Sequence, residues 1–261
     1  GNALVAYVTN DSLAVSQKKV VVAKYALNNG NLIWSKNISD CNNVLTNTLN
    51  DLKIDKYGNA FLCGSVINPI TQKNMEVVKL NANGTMAWRN YYDGGDANNL
   101  AVDDEAFCLA IDNEDNIVIA GQGFRSVNYE DIIMRKYDQQ GNLLWHRRHD
   151  MLGTGDGARY IGVDNNNNYY VAGYADINAA LLKFSKDGTL QWKKIFWDMN
   201  IYALHTFPEG GCLVSGCLYF SIGQWEPAAC GRWGTRQDGR KCNLYASGSD
   251  ILSAEWRGRA G

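Results

Sequence analysis

The stretch Lys136-Tyr137-Asp138-Gln139-Gln140-Gly141-Asn142-Leu143-Leu144-Trp145 is the strongest indication of the fold, because the chain contains three further copies of it. Each copy has a lysine followed by a large apolar residue, a turn with glycine, and a short run that ends at tryptophan. The other copies run from Lys24 to Trp34, from Lys79 to Trp88 and from Lys183 to Trp192. The tryptophans are 54, 57 and 47 residues apart, which is the length of a propeller blade and too long for a helical or leucine-rich solenoid unit.

A second motif follows each tryptophan, with an aspartate, a turn rich in glycine and asparagine, and an apolar run that ends at glycine. Its copies are residues 55–64, 112–121 and 164–173, and residues 207–216 are a decayed fourth copy. Both motifs place Gly, Asn or Asp between two apolar runs, which is typical of a β-hairpin with positive φ in its turn. Two hairpins per repeat predict four antiparallel strands per repeat.

The two ends of the chain determine how many blades we predict. Residues 1–6 align with residues 58–63, the last strand of a blade, and Arg232-Trp233 begins a stretch similar to a fifth copy. We therefore predict an all-β fold: one β-propeller domain, residues 1–261, with five four-stranded antiparallel blades. The N-terminal strand is expected to close the ring, because closure removes open sheet edges. The predicted blades are residues 18–66, 75–123, 130–175 and 178–219, with a composite blade of residues 228–258 and 1–9.

These motifs resemble the SBBP-type β-propeller repeats of bacterial and environmental surface proteins. The consensus of that family is a Lys-aromatic-Asp, Gly-Asn and Leu-Trp phrase followed by Asp, Gly-Asn and a valine-rich strand. The resemblance covers residues 1–225, and a more distant one links the chain to the tryptophan repeats of quinoprotein dehydrogenases, which have eight blades. Because the repeated residues of the family build blades, the resemblance implies an extracellular or cell-surface location but no catalytic residue.

Composition is consistent with a single domain that buries a sizeable core, since 46% of the 261 residues are hydrophobic and 20% are charged. The net charge of -2 provides no basic footprint for nucleic acid or acidic membranes. No apolar run is long enough to cross a bilayer. We therefore expect neither nucleic acid nor membrane insertion, and the sequence does not indicate the oligomeric state.

The repeated lysines have two interpretations. They could form a ring of ammonium groups around a channel that binds an anion or a quinone-like cofactor, or each could pair with the repeated aspartate of its blade. Those aspartates are Asp55, Asp112 and Asp164. We favour the pairing, because a residue present in every blade usually serves the assembly of every blade. For the same reason we expect the tryptophans to lie in the core between blades, and we expect no resident cofactor.

Seven cysteines leave at least one thiol unpaired. Cys63 aligns with Ala120 and Ala172, which predicts a small buried core residue. A disulfide between Cys230 and Cys242 would staple the composite blade.

Catalytic and metal-binding motifs are missing from the sequence. It contains no Gly-x-Ser-x-Gly elbow, P-loop, dinucleotide fingerprint or His-Glu-x-x-His helix. His146 and His149 are three residues apart on a predicted strand, and therefore on opposite faces, so we expect no zinc site. An enzyme with this sequence would have to use carboxylates in its loops.

Function is expected in the connections that do not repeat, because propeller topology gathers them on one face. Aromatic rings there can stack on the apolar face of a pyranose, and carboxylates can accept its hydroxyl hydrogens. The candidate ligand-binding residues are Trp197, Trp225, Tyr91, Tyr92, Asp93, Asp96 and Asp156. Calcium at Asp93–Asp96 is an alternative, although this stretch lacks the ligand spacing of an EF-hand.

The sequence thus predicts a non-catalytic, secreted or surface-displayed module that binds a glycan or a protein ligand. Two alternatives stay open. One is a hydrolase or lyase that uses loop carboxylates, because a fold does not determine a function. The other is a structural spacer within a larger repeat protein. Two carboxylates about 5 to 9.5 Å apart in a pocket would favour glycoside hydrolysis, whereas exposed aromatic rings without such a pair would favour binding.

Overall fold

A computed structural model of the protein describes residues 2–11, 14–39, 47–68, 72–94, 103–126, 129–153, 155–218, 232–233 and 242–246. Two compact units make up the chain, Gly1–Asp150 and Met151–Gly261. Among the described residues, no helix has the length and apolarity that a membrane span requires.

The first unit contains three antiparallel sheets, and strands that follow one another in the chain are neighbours within each sheet. The first sheet consists of β1 (Asn2–Asp11), β2 (Ala14–Ala26) and β3 (Leu32–Asn37). The second consists of β4 (Asn47–Ile54), β5 (Ala60–Asn68), β6 (Gln72–Leu80) and β7 (Met86–Tyr92). The third consists of β8 (Glu105–Ile111), β9 (Ile117–Ser126), β10 (Tyr129–Tyr137) and β11 (Leu143–His149).

The second unit contains two sheets. The fourth sheet consists of β12 (Asp156–Val163), β13 (Tyr169–Ala175), β14 (Asn178–Phe184) and β15 (Leu190–Phe196). The fifth consists of β16 (Met199–Thr206), β17 (Cys212–Leu218), β18 (Arg232–Trp233) and β19 (Cys242–Ala246). Here β19 pairs with β17, and β18 pairs in parallel with β19. The prediction of an all-β fold of mainly antiparallel, mostly four-stranded sheets is confirmed, while closure of the sheets into a propeller ring stays a prediction.

The strands group differently from the predicted blades. The prediction joined β2 and β3 with β4 and β5, but the structure joins β4 and β5 with the two strands that follow them. The second, third and fourth sheets therefore each begin with the aspartate motif and end with the lysine–tryptophan motif of the next repeat. In the first unit, connection length is consistent with this grouping, because the short links after β5 and β9 suit hairpins. The longer links after β3 and β7 pass from one sheet to the next.

The composite blade needs a similar correction. Strand β1 pairs with β2, with Asn2 opposite Ala26 and Thr9 opposite Lys19. The described strands after residue 218 belong instead to the sheet of β16 and β17. The first sheet has three strands where the other sheets have four, and the outer edge of β1 pairs with no strand of the described part of the chain.

The core lies between neighbouring sheets of the same unit. One cluster, with Val22, Leu62 and Leu80 in it, joins the first and second sheets, and another, around Phe61, Leu109 and Tyr137, joins the second and third. In the second unit, residues of the fourth sheet pack against those of the fifth. Inner strands are buried on both faces, as in β13 and β14, whereas the outermost strand β15 is mostly exposed or half-buried.

Aspartate and asparagine five-residue turns close one end of the sheets, which we call the turn side. In the turn after β4, Asp55 Oδ1 accepts hydrogen bonds from the N–H groups of Tyr57 at 2.9 Å and Asn59 at 2.8 Å. The Asn59 side-chain amide donates to Asp55 Oδ2 at 2.8 Å. The same three bonds occur in the turns that start at Asp112, Asp138 and Asp164. The repeated aspartates thus serve their own turns, because a carboxylate can accept several donors at once.

The repeated tryptophans bind the turn of the neighbouring sheet. Trp88 Nε1 donates to the carbonyl oxygen of Gln139 at 3.0 Å, and Trp34 Nε1 donates to that of Ala82 at 3.4 Å. Gly141 has a φ of 88°, and a Cβ atom there would lie 2.9 Å from the Trp88 ring. Only glycine leaves room for the indole at this turn. The structure therefore supports the expectation that Trp34 and Trp88 join adjacent sheets.

The repeated lysines also contribute to sheet assembly. Lys136 Nζ lies 2.8 Å from Asp112 Oδ2 in a buried ion pair within one sheet. Three of the repeated lysines differ from the expected pairing. Lys136 pairs with Asp112 and not with Asp164 of its predicted blade. Lys24 Nζ donates to the carbonyl oxygen of Ala82 at 3.0 Å, and Lys79 Nζ donates to that of Gln139 at 2.8 Å. Each of these two ammonium groups thus shares its acceptor with the tryptophan of the same motif.

The cysteine prediction is tested only in part. Cys63 is 2% exposed and belongs to the core between the second and third sheets, as expected. Burial raises the pKa of its thiol well above the ordinary value, which keeps it protonated and unreactive. Cys63, Cys212 and Cys217 are free thiols. Cys230 lies outside the described residues, so its pairing with Cys242 stays a prediction.

Candidate ligand-binding site

The strand ends opposite the turn side, which we call the loop side, carry the residues that do not repeat. In the second unit, two short connections meet there. Asp176 and Ile177 link β13 to β14, and Trp197 and Asp198 link β15 to β16. Ala179 pairs with Phe196, which brings the two connections side by side. We call the four residues Asp176, Ile177, Trp197 and Asp198 the tryptophan patch.

Backbone geometry and one side chain hold the tryptophan patch in place. Asp176 and Asp198 each have a φ of 56°, a left-handed conformation that aspartate adopts more readily than most residues. The Asp198 N–H donates to Asn178 Oδ1 at 3.1 Å, and the Asp176 N–H donates to the carbonyl oxygen of Gly155 at 2.8 Å. Asn178 is itself buried. The patch is therefore built on anchored turns.

The two apolar side chains of the patch are open to solvent. Trp197 is 65% exposed and Ile177 is 68% exposed. In the part of the chain that the structure describes, the indole N–H of Trp197 has no hydrogen-bond partner. The carboxylates of Asp176 and Asp198 are exposed beside them. An adjacent tryptophan and isoleucine left uncovered, with acids at their rim, are typical of a small interaction surface.

Asp156 does not belong to this surface, although the sequence made it a candidate. It is 0% exposed, and its Oδ2 accepts a hydrogen bond from the Met151 N–H at 2.6 Å. A carboxylate without solvent access cannot orient the hydroxyl groups of a ligand. Its role is to hold the chain that leads into β12, and we exclude it from the site.

The candidates of the first unit lie at the end of β7. Tyr91 is 42% exposed, and Asp93 is exposed directly after the strand. Tyr92 points to the opposite face of β7, where its ring lies 5.1 Å from the His146 ring and its hydroxyl accepts from Arg148 at 3.4 Å. Tyr92 is thus half-buried between two sheets and unavailable for stacking on a sugar.

Two of the candidates, Trp225 and Asp96, lie outside the described residues. Sequence analysis also missed Ile177, because an isoleucine in a short connection has no pattern that separates it from a core residue. The Asp176-Ile177-Asn178 sequence could have indicated an exposed turn at Ile177, because aspartate and asparagine favour turns.

Asp104 is a buried carboxyl group near the loop-side end of the third sheet. It is 0% exposed, and its Oδ2 accepts a hydrogen bond from the Gly94 N–H. Burial, assisted by the nearby Asp93, raises the pKa of Asp104 to about 7, although Gly94 and Arg148 act in the opposite direction. A carboxyl group in this state holds its proton close to neutral pH.

The chain is similar to solved structures of other proteins. No family model matches this sequence, and no curated protein matches it. Among similar solved structures, a Bacteroides caccae protein of unknown function is 13% identical over 75% of this chain, with a TM-score of 0.48, and this chain spans 61% of that one. The β-propeller domain of the trilobed protease from Pyrococcus furiosus is 9% identical over 81% of this chain and 57% of its own, with a TM-score of 0.44. A subtype N10 neuraminidase-like protein of A/little yellow-shouldered bat/Guatemala is 9% identical over 83% of this chain and 73% of its own, with a TM-score of 0.46. The solved structures similar to this chain thus include a β-propeller, and at these identities the likeness concerns the fold alone.

Proposed function

We propose that the protein is a binding module that recognises a saccharide at the tryptophan patch. The observation that carries the proposal is the 65% exposure of Trp197 beside the 68% exposed Ile177, on turns that are anchored to the sheet. A residue this large and apolar is usually covered when it serves only stability. An indole that stays uncovered on an anchored turn is instead suited to contact a partner.

The chemistry of the patch favours a sugar over a protein partner. The indole presents a flat apolar surface on which the C–H face of a pyranose can lie, and Ile177 widens this surface. Asp176 and Asp198 are placed to accept hydrogen bonds from sugar hydroxyl groups, each worth about 1.5 to 3 kcal/mol when the acceptor is charged. A stable protein interface requires roughly 800 Å² on each partner, far more than four side chains supply.

The test is a glycan-array screen of the intact chain, with and without calcium, followed by calorimetry with the glycan that binds best. Trp197→Ala is expected to lower the affinity at least tenfold and to leave the fold intact. Tyr57→Ala is the matched control, because Tyr57 is similarly exposed, at 62%, but lies in a turn of the first unit. Equal affinities for wild type and Trp197→Ala would place the binding surface elsewhere.

A hydrolase or lyase is the second candidate function, and the raised pKa of Asp104 favours it. A carboxyl group whose pKa is raised to about 7 can donate a proton near neutral pH, as general acid catalysis requires. Asp104 is 0% exposed, so this function also requires a movement that admits a substrate to the carboxyl group. Turnover of a glycan from the array, lost in Asp104→Asn and retained in Trp197→Ala, would support this alternative. A chain that binds and cleaves nothing would support the third possibility, a structural spacer.

The membership of these repeats in the SBBP-type family, and an extracellular or cell-surface location, are parts of the same proposal. They are supported by the lysine–tryptophan and aspartate–asparagine motifs, whose residues build turns and contacts between sheets in the way that a blade repeat requires.

A further inference from the structure

Arg135 on β10 is a half-buried cation that has no carboxylate partner in the part of the chain that the structure describes. Its Nε donates to the Tyr137 hydroxyl at 2.6 Å, and its Nη1 lies 3.5 Å from His146 Nδ1. Among the described residues, no carboxylate contacts it. Charged groups that lose solvent are normally paired with an opposite charge. Among the described residues, the guanidinium of Arg135 therefore lacks the carboxylate partner that a half-buried cation normally has.

The neighbouring Arg148 shows what a satisfied guanidinium looks like in the same place. Its Nη1 lies 2.9 Å from Asp131 Oδ2 and 3.1 Å from the carbonyl oxygen of Gly123. Its Nη2 donates to the carbonyl oxygen of Phe124 at 3.2 Å. Because Asp131 is already paired with Arg148, it does not neutralise Arg135. Among the described residues, Arg135 thus has no carboxylate of its own.

Aromatic rings from different strands form the walls around Arg135. Its guanidinium carbon lies 4.4 Å from the centre of the Tyr92 ring on β7 and 5.6 Å from that of Tyr137 on β10. The His146 ring on β11 lies 5.1 Å from the Tyr92 ring. Stacking of this kind orients the guanidinium plane but does not use its N–H groups. A guanidinium has five N–H donors, and the two contacts to Tyr137 and His146 leave about three of them available.

His146 lies close to three arginines. Burial, and after it the charges of Arg135, Arg148 and Arg147, lower the pKa of His146 to about 4. The imidazole is therefore neutral at pH 7, and its Nδ1 can accept from Arg135. The acidic groups nearby are Asp131, which pairs with Arg148, Asp150, whose carboxylate lies within 4.8 Å of that of Asp131, the exposed Asp93, and Asp104, whose raised pKa removes much of its charge near neutral pH.

We propose that Arg135, between Tyr92 and His146, binds an oxyanion, either the carboxylate or the phosphate group of a ligand. The free N–H groups of a guanidinium form a planar fork that matches two oxygens of such a group. The oxyanion supplies the negative charge beside Arg135 that the described residues do not provide. The site lies in the first unit and is independent of the tryptophan patch, so neither proposal rests on the other.

The first experiment follows the His146 imidazole of the intact, isotopically labelled chain by NMR while sulfate is added. Sulfate stays ionised through the acid range, and sodium chloride at matched ionic strength is the reference. A bound anion beside the ring is expected to raise the pKa of His146 by about one unit or more, in a saturable way. A pKa that responds equally to sulfate and to chloride would overturn the proposal.

Variants assign the effect to Arg135. Arg135→Gln is expected to abolish the sulfate-dependent increment, and Arg135→Lys, which retains the charge but loses the fork, is expected to weaken binding several-fold. Arg159→Gln is the matched control, since Arg159 is also half-buried and its guanidinium lies 5.0 Å from the Tyr174 ring in the second unit. An undiminished increment in Arg135→Gln would overturn the assignment. If Arg135→Gln does not fold, the sulfate-dependent increment in the pKa of His146 is compared between Arg135→Lys and the wild type. An equal increment in these two proteins would then overturn the assignment.

The chemical class of the ligand follows from two further titrations near neutral pH, one with acetate and one with inorganic phosphate. Chemical-shift changes of Tyr92 and His146 that saturate with either anion support the site, and the tighter anion identifies its preferred group. Absence of saturable changes with both anions would overturn the proposal.

Discussion

The turn side and the loop side of the sheets use the same residue types for different purposes. On the turn side, Asp112 is 4% exposed, closes its own turn and pairs with a lysine. On the loop side, Asp198 is exposed and lies in the two-residue link before β16. Trp88 contacts the next sheet, whereas Trp197 is open to solvent. Residues repeated in each motif therefore serve assembly of the sheets. The candidate functional residues lie in the connections that do not repeat.

The largest expected effect is that of Asp112→Ala. This change leaves the buried ammonium group of Lys136 without its carboxylate, and breaking one side of a buried ion pair costs about 3 to 5 kcal/mol. Asp138→Ala is the matched control, because Asp138 makes the same turn hydrogen bonds but is partly exposed. The free energy of unfolding in urea should fall much more for Asp112→Ala. Equal losses would mean that the turn, and not the ion pair, carries the effect.

Trp88→Ala should be the next most damaging. The indole packs with Phe61 and Tyr137 and donates to Gln139, so its removal is expected to cost about 3 kcal/mol, the low end for a tryptophan because the ring is half-buried. Trp197→Ala should change the free energy of unfolding by less than about 0.5 kcal/mol. If Trp197→Ala were as destabilising as Trp88→Ala, the contrast between the two sides would be wrong.

Gly141→Ala tests the contact between the turn and the tryptophan. A side chain at a φ of 88° is strained, and its Cβ would also displace the Trp88 ring, so we expect a loss of about 2 kcal/mol or more. Gly30→Ala has a similar φ, 70°, with no atom within 4 Å of the added Cβ. It should therefore cost only the backbone strain, about 1 kcal/mol. Equal losses in thermal or urea unfolding would show that the indole moves aside freely.

The remaining prediction concerns the pH dependence of stability and Asp104. Because burial raises the pKa of Asp104 from 3.8 to about 7, the folded chain retains a proton that the unfolded chain releases over this interval. The contribution of Asp104 to stability is therefore complete below the lower value and is lost as the pH rises to the higher one. Asp104→Asn lacks this dependence, so its stability relative to wild type should increase between about pH 4 and pH 8.

Asp138→Asn is the control of opposite sign for that pH series. Slight burial acts to raise the pKa of Asp138, but hydrogen bonds from Asn142, Gln140 and Gly141 outweigh it and lower the pKa. The stability that Asp138 contributes is present above the unfolded pKa and is lost as the pH falls through the folded one. The deficit of Asp138→Asn relative to wild type should therefore shrink in acid. The same trend in both variants would contradict the burial of Asp104.

Much of the fold could be predicted because hairpins are local. The turn residues between Asp55 and Asn59 specify positive φ, and the apolar runs on both sides specify strands. The sequence also separated Trp197 from the repeated tryptophans. It did not show that Asp156 is buried or that Tyr92 faces Arg135, because the direction of a side chain at a strand end depends on the neighbouring sheet.

The sequence by itself determined the strands, their turns and the residues that repeat, because these depend on interactions between residues close in the chain. The tertiary structure decided which hairpins share a sheet, since that choice depends on connection length and on packing between sheets. It also decided the partners of Lys24 and Lys79, which lie about 60 residues away. The exposure of Ile177 is likewise a tertiary property, and so is the absence of a carboxylate beside Arg135 among the described residues. Burial and electrostatic environment arise only when distant strands meet.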